Sequence, residues 1–138
     1  MKEFQVWALG SAAFASLTAI LAKKGVESVP SNLAVAIRVV VVAAFAIGVA
    51  IATKQTKLAG IDNRAWLFLV LSGFATGLSW LCYFRALALG PVSQVAPIDK
   101  LSFVLVVILG CLIFRERVTV NVGIGAALIA VGVLVTLR

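Results

Sequence analysis

Histidine is absent from this sequence, and acidic residues number only five in 138. Without histidine, the commonest zinc and haem ligand is missing, and so is the usual general base of a nucleophilic triad. Cysteine occurs twice, at Cys82 and Cys111, both inside apolar runs. That spacing makes no metal motif, and both read as free, small apolar residues. Paired acids for hydrolytic chemistry are also missing, so neither an enzyme nor a metal or other cofactor is expected. Charge of any sign is scarce, at 12% of residues against 63% hydrophobic, with a mean hydropathy of +1.17. A water-soluble domain averages about 25% charged and about 45–50% apolar residues. A soluble domain of this length cannot hide that much apolar surface, so the expected solvent is a lipid bilayer. The net charge of +7 does not point to nucleic acid, because the basic residues are scattered and form no patch. In a membrane chain they carry topology information instead.

What the sequence does have is long apolar runs. A crossing needs about 20 residues, and five fit: about 4–22, 32–53, 65–89, 92–114 and 119–137. The predicted fold is an all-α integral membrane protein with five transmembrane helices in one domain, 1–138. The first run is rich in small residues and ends at Lys23-Lys24-Gly25. It is too long for a cleaved signal peptide and leads straight into another span. Ser31 or Asn32 is the expected cap of the second run. That run is Val-rich and interrupted by Arg38, for which two readings stand: a side chain snorkelling to the interface, or a cation lining a polar interior. The polar connection up to Arg64 is the longest, and Trp66 after it fits an interfacial anchor. In the third run, Ser72, Thr76, Ser79 and Tyr83 are spaced 4, 3 and 4 apart, which places four hydroxyls on one helical stripe. Gly73 and Gly77 form a G-x-x-x-G notch beside it, expected to serve helix packing and to face inward. The stripe either lines a pathway or bonds its own backbone. The last run, with Gly123, Gly125 and Gly132, carries no charge and reads as scaffold or as a helix–helix contact.

The chain's organising stretch lies between the third and fourth runs. Gly90-Pro91 is a helix stop followed by a helix start. Pro97 then sits inside an apolar span, where it removes a backbone hydrogen bond and predicts a kink or broken turn. Asp99 and Lys100 follow at once, near mid-depth. A charge at the centre of a transmembrane helix costs roughly 2.5–3.5 kcal/mol on insertion scales. An acid and a base together there must pair, meet water or face other protein. Asp99 and Ser102 share a face, while Lys100 points about 100° away, so the acid and base need not pair with each other. Arg38, the hydroxyl stripe, Asp99, Lys100 and Ser102 are the candidate pathway residues, with Gly73, Gly77 and Pro97 shaping the packing. Their net positive charge suits a substrate with an anionic group. Asp99 is either a proton site or half of a structural ion pair.

Loop charges predict orientation. Lys2, Lys54, Lys57, Arg64, Arg115 and Arg117 fall on the N-terminal side of a five-span chain. Lys23, Lys24 and Arg138, with Arg85 as a possible fourth, fall on the other. The positive-inside rule favours a cytoplasmic N-terminus and an outside C-terminus.

Taken in order, these features resemble the EamA family of the drug/metabolite transporter superfamily. The resemblance rests on a small-residue first helix ending in lysine and an early arginine in the second. It continues through Leu71-Ser72-Gly73-Phe74-Ala75-Thr76-Gly77-Leu78-Ser79-Trp80, Tyr83-Phe84-Arg85-Ala86-Leu87 and Gly90-Pro91-Val92-Ser93. Ala96-Pro97-Ile98-Asp99-Lys100-Leu101-Ser102, Phe114-Arg115-Glu116-Arg117 and Gly125-Ala126-Ala127-Leu128-Ile129 complete it. It implies a bacterial-type cytoplasmic (inner) membrane protein that moves small metabolites, often outward. Family members commonly carry two such five-helix units as an inverted repeat, and this sequence holds one. It is therefore expected to work as a homodimer, parallel or inverted, or with a related partner chain. The alternative is a membrane scaffold or subunit that does not transport and uses the same faces only for helix packing.

Overall fold

The computed structural model describes residues 2–58 and 60–137, which form helices joined by turns and short irregular segments. Six helices follow one another: α1 (Glu3–Val26), α2 (Ser31–Ala52), α3 (Asn63–Leu89), α4 (Val92–Asp99), α5 (Leu101–Phe114) and α6 (Val120–Thr136). Four stretches are long and apolar enough to cross a membrane: α1, α2, α3 and the combined Val92–Phe114. The 17-residue α6 is shorter, at the low end of what spans a bilayer. The five expected spans are thus all present as helix. Arg138, counted in the charge bias, lies outside the described residues.

The composition explains why these segments are helical despite many β-branched residues. Val and Ile lose rotamer freedom in a helix and are mediocre helix formers in water. In hydrocarbon each unsatisfied N–H or C=O costs several kcal/mol, and an α-helix satisfies them within the segment. The Val-rich α2 is a case of solvent overriding propensity. Its start differs from expectation. Pro30 occupies the cap position with ψ 136°, Ser31 is already helical, and no side chain caps the end. A proline sets the entry instead, because its fixed φ suits the residue leading into a first turn. α1 also differs. It runs through Lys23-Lys24-Gly25 to Val26, with both lysines in its last turn, where cations complement the helix dipole. α2 ends in a Schellman motif. Gln55 N–H donates to the Ala50 carbonyl and Lys54 N–H to that of Ile51, with Lys54 in the left-handed region at φ 57°.

The chain divides into two compact units, residues 1–89 and 90–138. In the first, α1, α2 and α3 pack pairwise around Ala19, Val26, Val35, Phe84 and Leu87, with Leu87 fully buried. In the second, α6 packs on both α4 and α5, around Val95, Ala126 and Val133. Most other large apolar side chains, among them Phe14, Phe45, Leu112 and Leu134, point outward, as bilayer solvation requires.

Candidate functional site

In the first unit the chemistry gathers around Arg38. It is the eighth residue of α2, about 10 Å along the helix from its start. Its guanidinium carbon lies 4.4 Å from the Trp80 ring centroid and 5.4 Å from that of Phe84. Both rings belong to α3, four residues apart and hence on one face. An arginine over aromatic faces gains cation–π attraction that is strongest where water is scarce. Tyr83 meets Phe84 edge-on at 6.5 Å between centroids. Among the described residues, Arg38 makes no ion pair. Beside it opens a cavity of about 380 Å³, lined by Thr18, Ala22, Gly25, Ala34 and Phe84 among others.

The same end of this unit holds a second cation with a structural role. Lys23 Nζ donates a 2.7 Å hydrogen bond to the Leu87 carbonyl, in the last turn of α3. Lys23 was read from sequence as a helix terminator and topology signal. Its role as a tie between helices was missed, as were Trp80 and Phe84 as the seat of Arg38. The four-residue spacing of those rings is the signal that points to the latter.

The hydroxyl stripe of α3 is divided. Tyr83 is half-buried near Arg38, whereas Ser72, Thr76 and Ser79 are exposed. Thr76 Oγ1 donates to the Ser72 carbonyl at 2.9 Å, a bond back to its own helix. Gly73 and Gly77 border an open groove with Val70, Phe74, Leu78 and Leu81. A Cβ built on either glycine meets nothing within 4 Å. Within the first unit the notch is therefore uncovered and leaves room for close approach of another helix.

In the second unit the candidates sit at the junction of α4 and α5. The interruption expected at Pro97 falls at Lys100, which keeps right-handed helical angles, φ −71° and ψ −8°. Lys100 N–H bonds to the Pro97 carbonyl, and Phe103 N–H to that of Lys100, both three residues back. The helix is tightened into short turns there, not unwound. Although the two Cβ directions differ by about 100°, Lys100 Nζ reaches Asp99 Oδ2 at 3.2 Å, because a long flexible side chain folds back over its neighbour. Ser102 Oγ donates to the Asp99 carbonyl at 2.7 Å. The side chains of Lys100 and Asp99 are 60% and 38% exposed, so the pair stands on the surface of a membrane-length apolar span. The arrangement offers a ring-held cation without an ion-pair partner in one unit and an exposed acid–base pair in the other. Among the described residues no group of three or more acids and cysteines has metal-binding geometry.

The comparisons with known proteins bear on the whole chain. The sequence profile of the EamA-like transporter family matches residues 4–138. A protein of Sinorhizobium sp, described as an uncharacterized transporter in the cobO 3′ region, is 50% identical over 134 residues, 96% of this chain and 95% of that protein. No solved structure matches the chain at a significant level.

Proposed function

Because the chain belongs to the EamA-like transporter family, we propose that it is a secondary transporter of small metabolites, an exporter or permease, that works as a dimer around a polar pathway. The observation that carries this is the exposed Asp99–Lys100 pair within the 23-residue apolar span Val92–Phe114. Lipid does not solvate such a pair cheaply, so water or another protein surface must meet it. A second copy of the chain or a related partner, apposed in parallel or inverted, supplies that surface. The uncovered notch at Gly73 and Gly77 offers a face for close helix approach. Arg38, Ser72, Thr76, Ser79, Tyr83, Asp99, Lys100 and Ser102 line the pathway. The protein resides in a bacterial cytoplasmic (inner) membrane, its N-terminus inside and C-terminus outside, following the loop charges.

The scaffold alternative has one observation in its favour: Asp99 and Lys100 already satisfy each other. That same contact weighs against it as structural glue, since it joins sequence neighbours and ties no two helices together. The test is a panel of metabolites screened by thermal stabilisation of the purified protein, followed by flux of each hit into proteoliposomes. A ligand at a hundredfold excess over its dissociation constant adds about 2.7 kcal/mol of apparent stability. Transport predicts that Asp99→Asn and Lys100→Gln lose flux while keeping the wild-type melting temperature. Variants that unfold, with no hit in the panel, favour the scaffold. Native mass spectrometry in nanodiscs reads the expected dimer directly.

A further inference from the structure

We propose that the cavity beside Arg38 is a binding site, complete within residues 1–89, for a small organic monoanion: a carboxylate head on a compact apolar body. This names a substrate class and so rests on the transport assignment, but the site needs neither Asp99 nor Lys100.

Three observations converge. First, Arg38 is held by its two rings but not neutralised. Among the described residues no hydrogen bond or ion pair engages its N–H donors, and those donors match a carboxylate in a paired geometry. Second, the remaining wall is apolar apart from the Thr18 hydroxyl. Leu21, Ala22, Val29, Ala34, Ile37 and Phe84 offer a hydrocarbon body good contact and a second charge none. A cavity of about 380 Å³ falls in the size range of metabolite pockets. Third, the charges at this end of the unit favour an anion. Lys23, Lys24, Arg38 and Arg85 stand at the end of α1, the start of α2 and the end of α3, against a single carboxylate, Glu27, which Lys24 already engages at 3.2 Å. Clustered cations beside a low-dielectric wall concentrate anions locally. A dianion would leave one charge on the apolar wall, and a cation would meet Arg38 repulsively, so one negative charge is what the site accommodates.

The test uses the full-length protein in phosphatidylcholine nanodiscs, with Trp7→Phe and Trp66→Phe so that Trp80 alone reports. Octanoate and phenylacetate are titrated beside their neutral amides, octanamide and phenylacetamide. Trp80 emission is expected to shift saturably with the carboxylates, and the amides to bind about tenfold more weakly or worse, as for loss of a charge-assisted hydrogen bond. Arg38→Gln should weaken the carboxylates to the level of the amides. Should that variant fail to fold, Gly25→Leu tests the same site sterically. Gly25 lines the cavity and its Cβ position is open, so the helix tolerates the change while the cavity shrinks, and carboxylate affinity should fall about tenfold. Equal binding of acids and amides, or undiminished binding in Gly25→Leu, overturns the proposal. So does an emission shift that appears with phosphatidylglycerol nanodiscs and not with octanoate, which would assign the seat of Arg38 to a lipid headgroup. Transport is scored separately. Octanoate binding without flux of any compound leaves the site standing and removes the transporter assignment. Asp99-dependent flux without carboxylate binding does the reverse.

Discussion

Residues 2–89 hold their intramembrane charge by tertiary structure, with Arg38 of α2 lying against two rings of α3. Residues 90–137 hold theirs by adjacency, with Asp99 engaging the very next residue. A charge seated by remote side chains exists in that form only while the helices are packed, so its environment reports on folding. A charge held by its neighbour keeps the same partner whether the helices pack or not. It contributes little to specifying the fold and is free to exchange that partner for water or a solute. The first kind suits a fixed feature of a site, and the second suits a group that changes state during a cycle.

That contrast can be broken by mutation. The largest effect is expected from Leu87→Ala. Leu87 is fully buried where α3 meets its neighbours, and such truncations cost about 2–5 kcal/mol. The lower half of that range is expected here, because helices separated in lipid are already out of water and only the packing loss remains. Unfolding in graded denaturing detergent measures it, and the emission of Trp80 should change in the same transition. Next comes Trp80→Leu, which keeps an apolar side chain, though a smaller one, and removes the closer of the two rings under Arg38. A loss of about 1 kcal/mol is expected, and a neutral result would mean that Phe84 alone seats the guanidinium. Thr119→Ala removes the side chain that caps α6 through a 3.4 Å bond from Val122 N–H. About 0.5 kcal/mol is expected from so long a bond. The smallest effect on stability belongs to Asp99→Asn, at less than about 1 kcal/mol for an exposed pair. A loss of several kcal/mol would show that the acid is committed to the fold, and would erase the distinction between the two units.

Much of the fold was legible because lipid is a demanding solvent. Once hydropathy set the spans, the need to satisfy every backbone group left helix as the form available to them. Span boundaries were less legible. α1 runs past Gly25, because a glycine that meets no crowding and needs no positive φ gives the helix no reason to stop. α2 and α5 instead end at Lys54 and Arg115, both left-handed, residues that propensity does not mark as terminators. The candidate pathway residues were chosen as polar groups out of place, and that criterion finds Arg38, Asp99 and Lys100. It cannot find what an apolar side chain does for a polar one, so Trp80 and Phe84 passed as ordinary hydrophobes. Of the two readings the hydroxyl stripe allowed, Thr76 shows the bond back to its own helix.

The tie from Lys23 to the Leu87 carbonyl makes one end of the three-helix unit a pivot. α1 is 24 residues long, about 36 Å at the usual rise. With its C-terminal end pinned to the last turn of α3, a tilt of about 5° moves its N-terminal end by about 3 Å, a lever arm set by the helical rise, while residues near the pin, Arg38 and its cavity among them, scarcely shift. A tilt about that tie is expected to grade motion along the unit, with a quiet end where the cation sits and a sweeping end near Phe4 and Trp7, which site-directed spin labels at those positions would read.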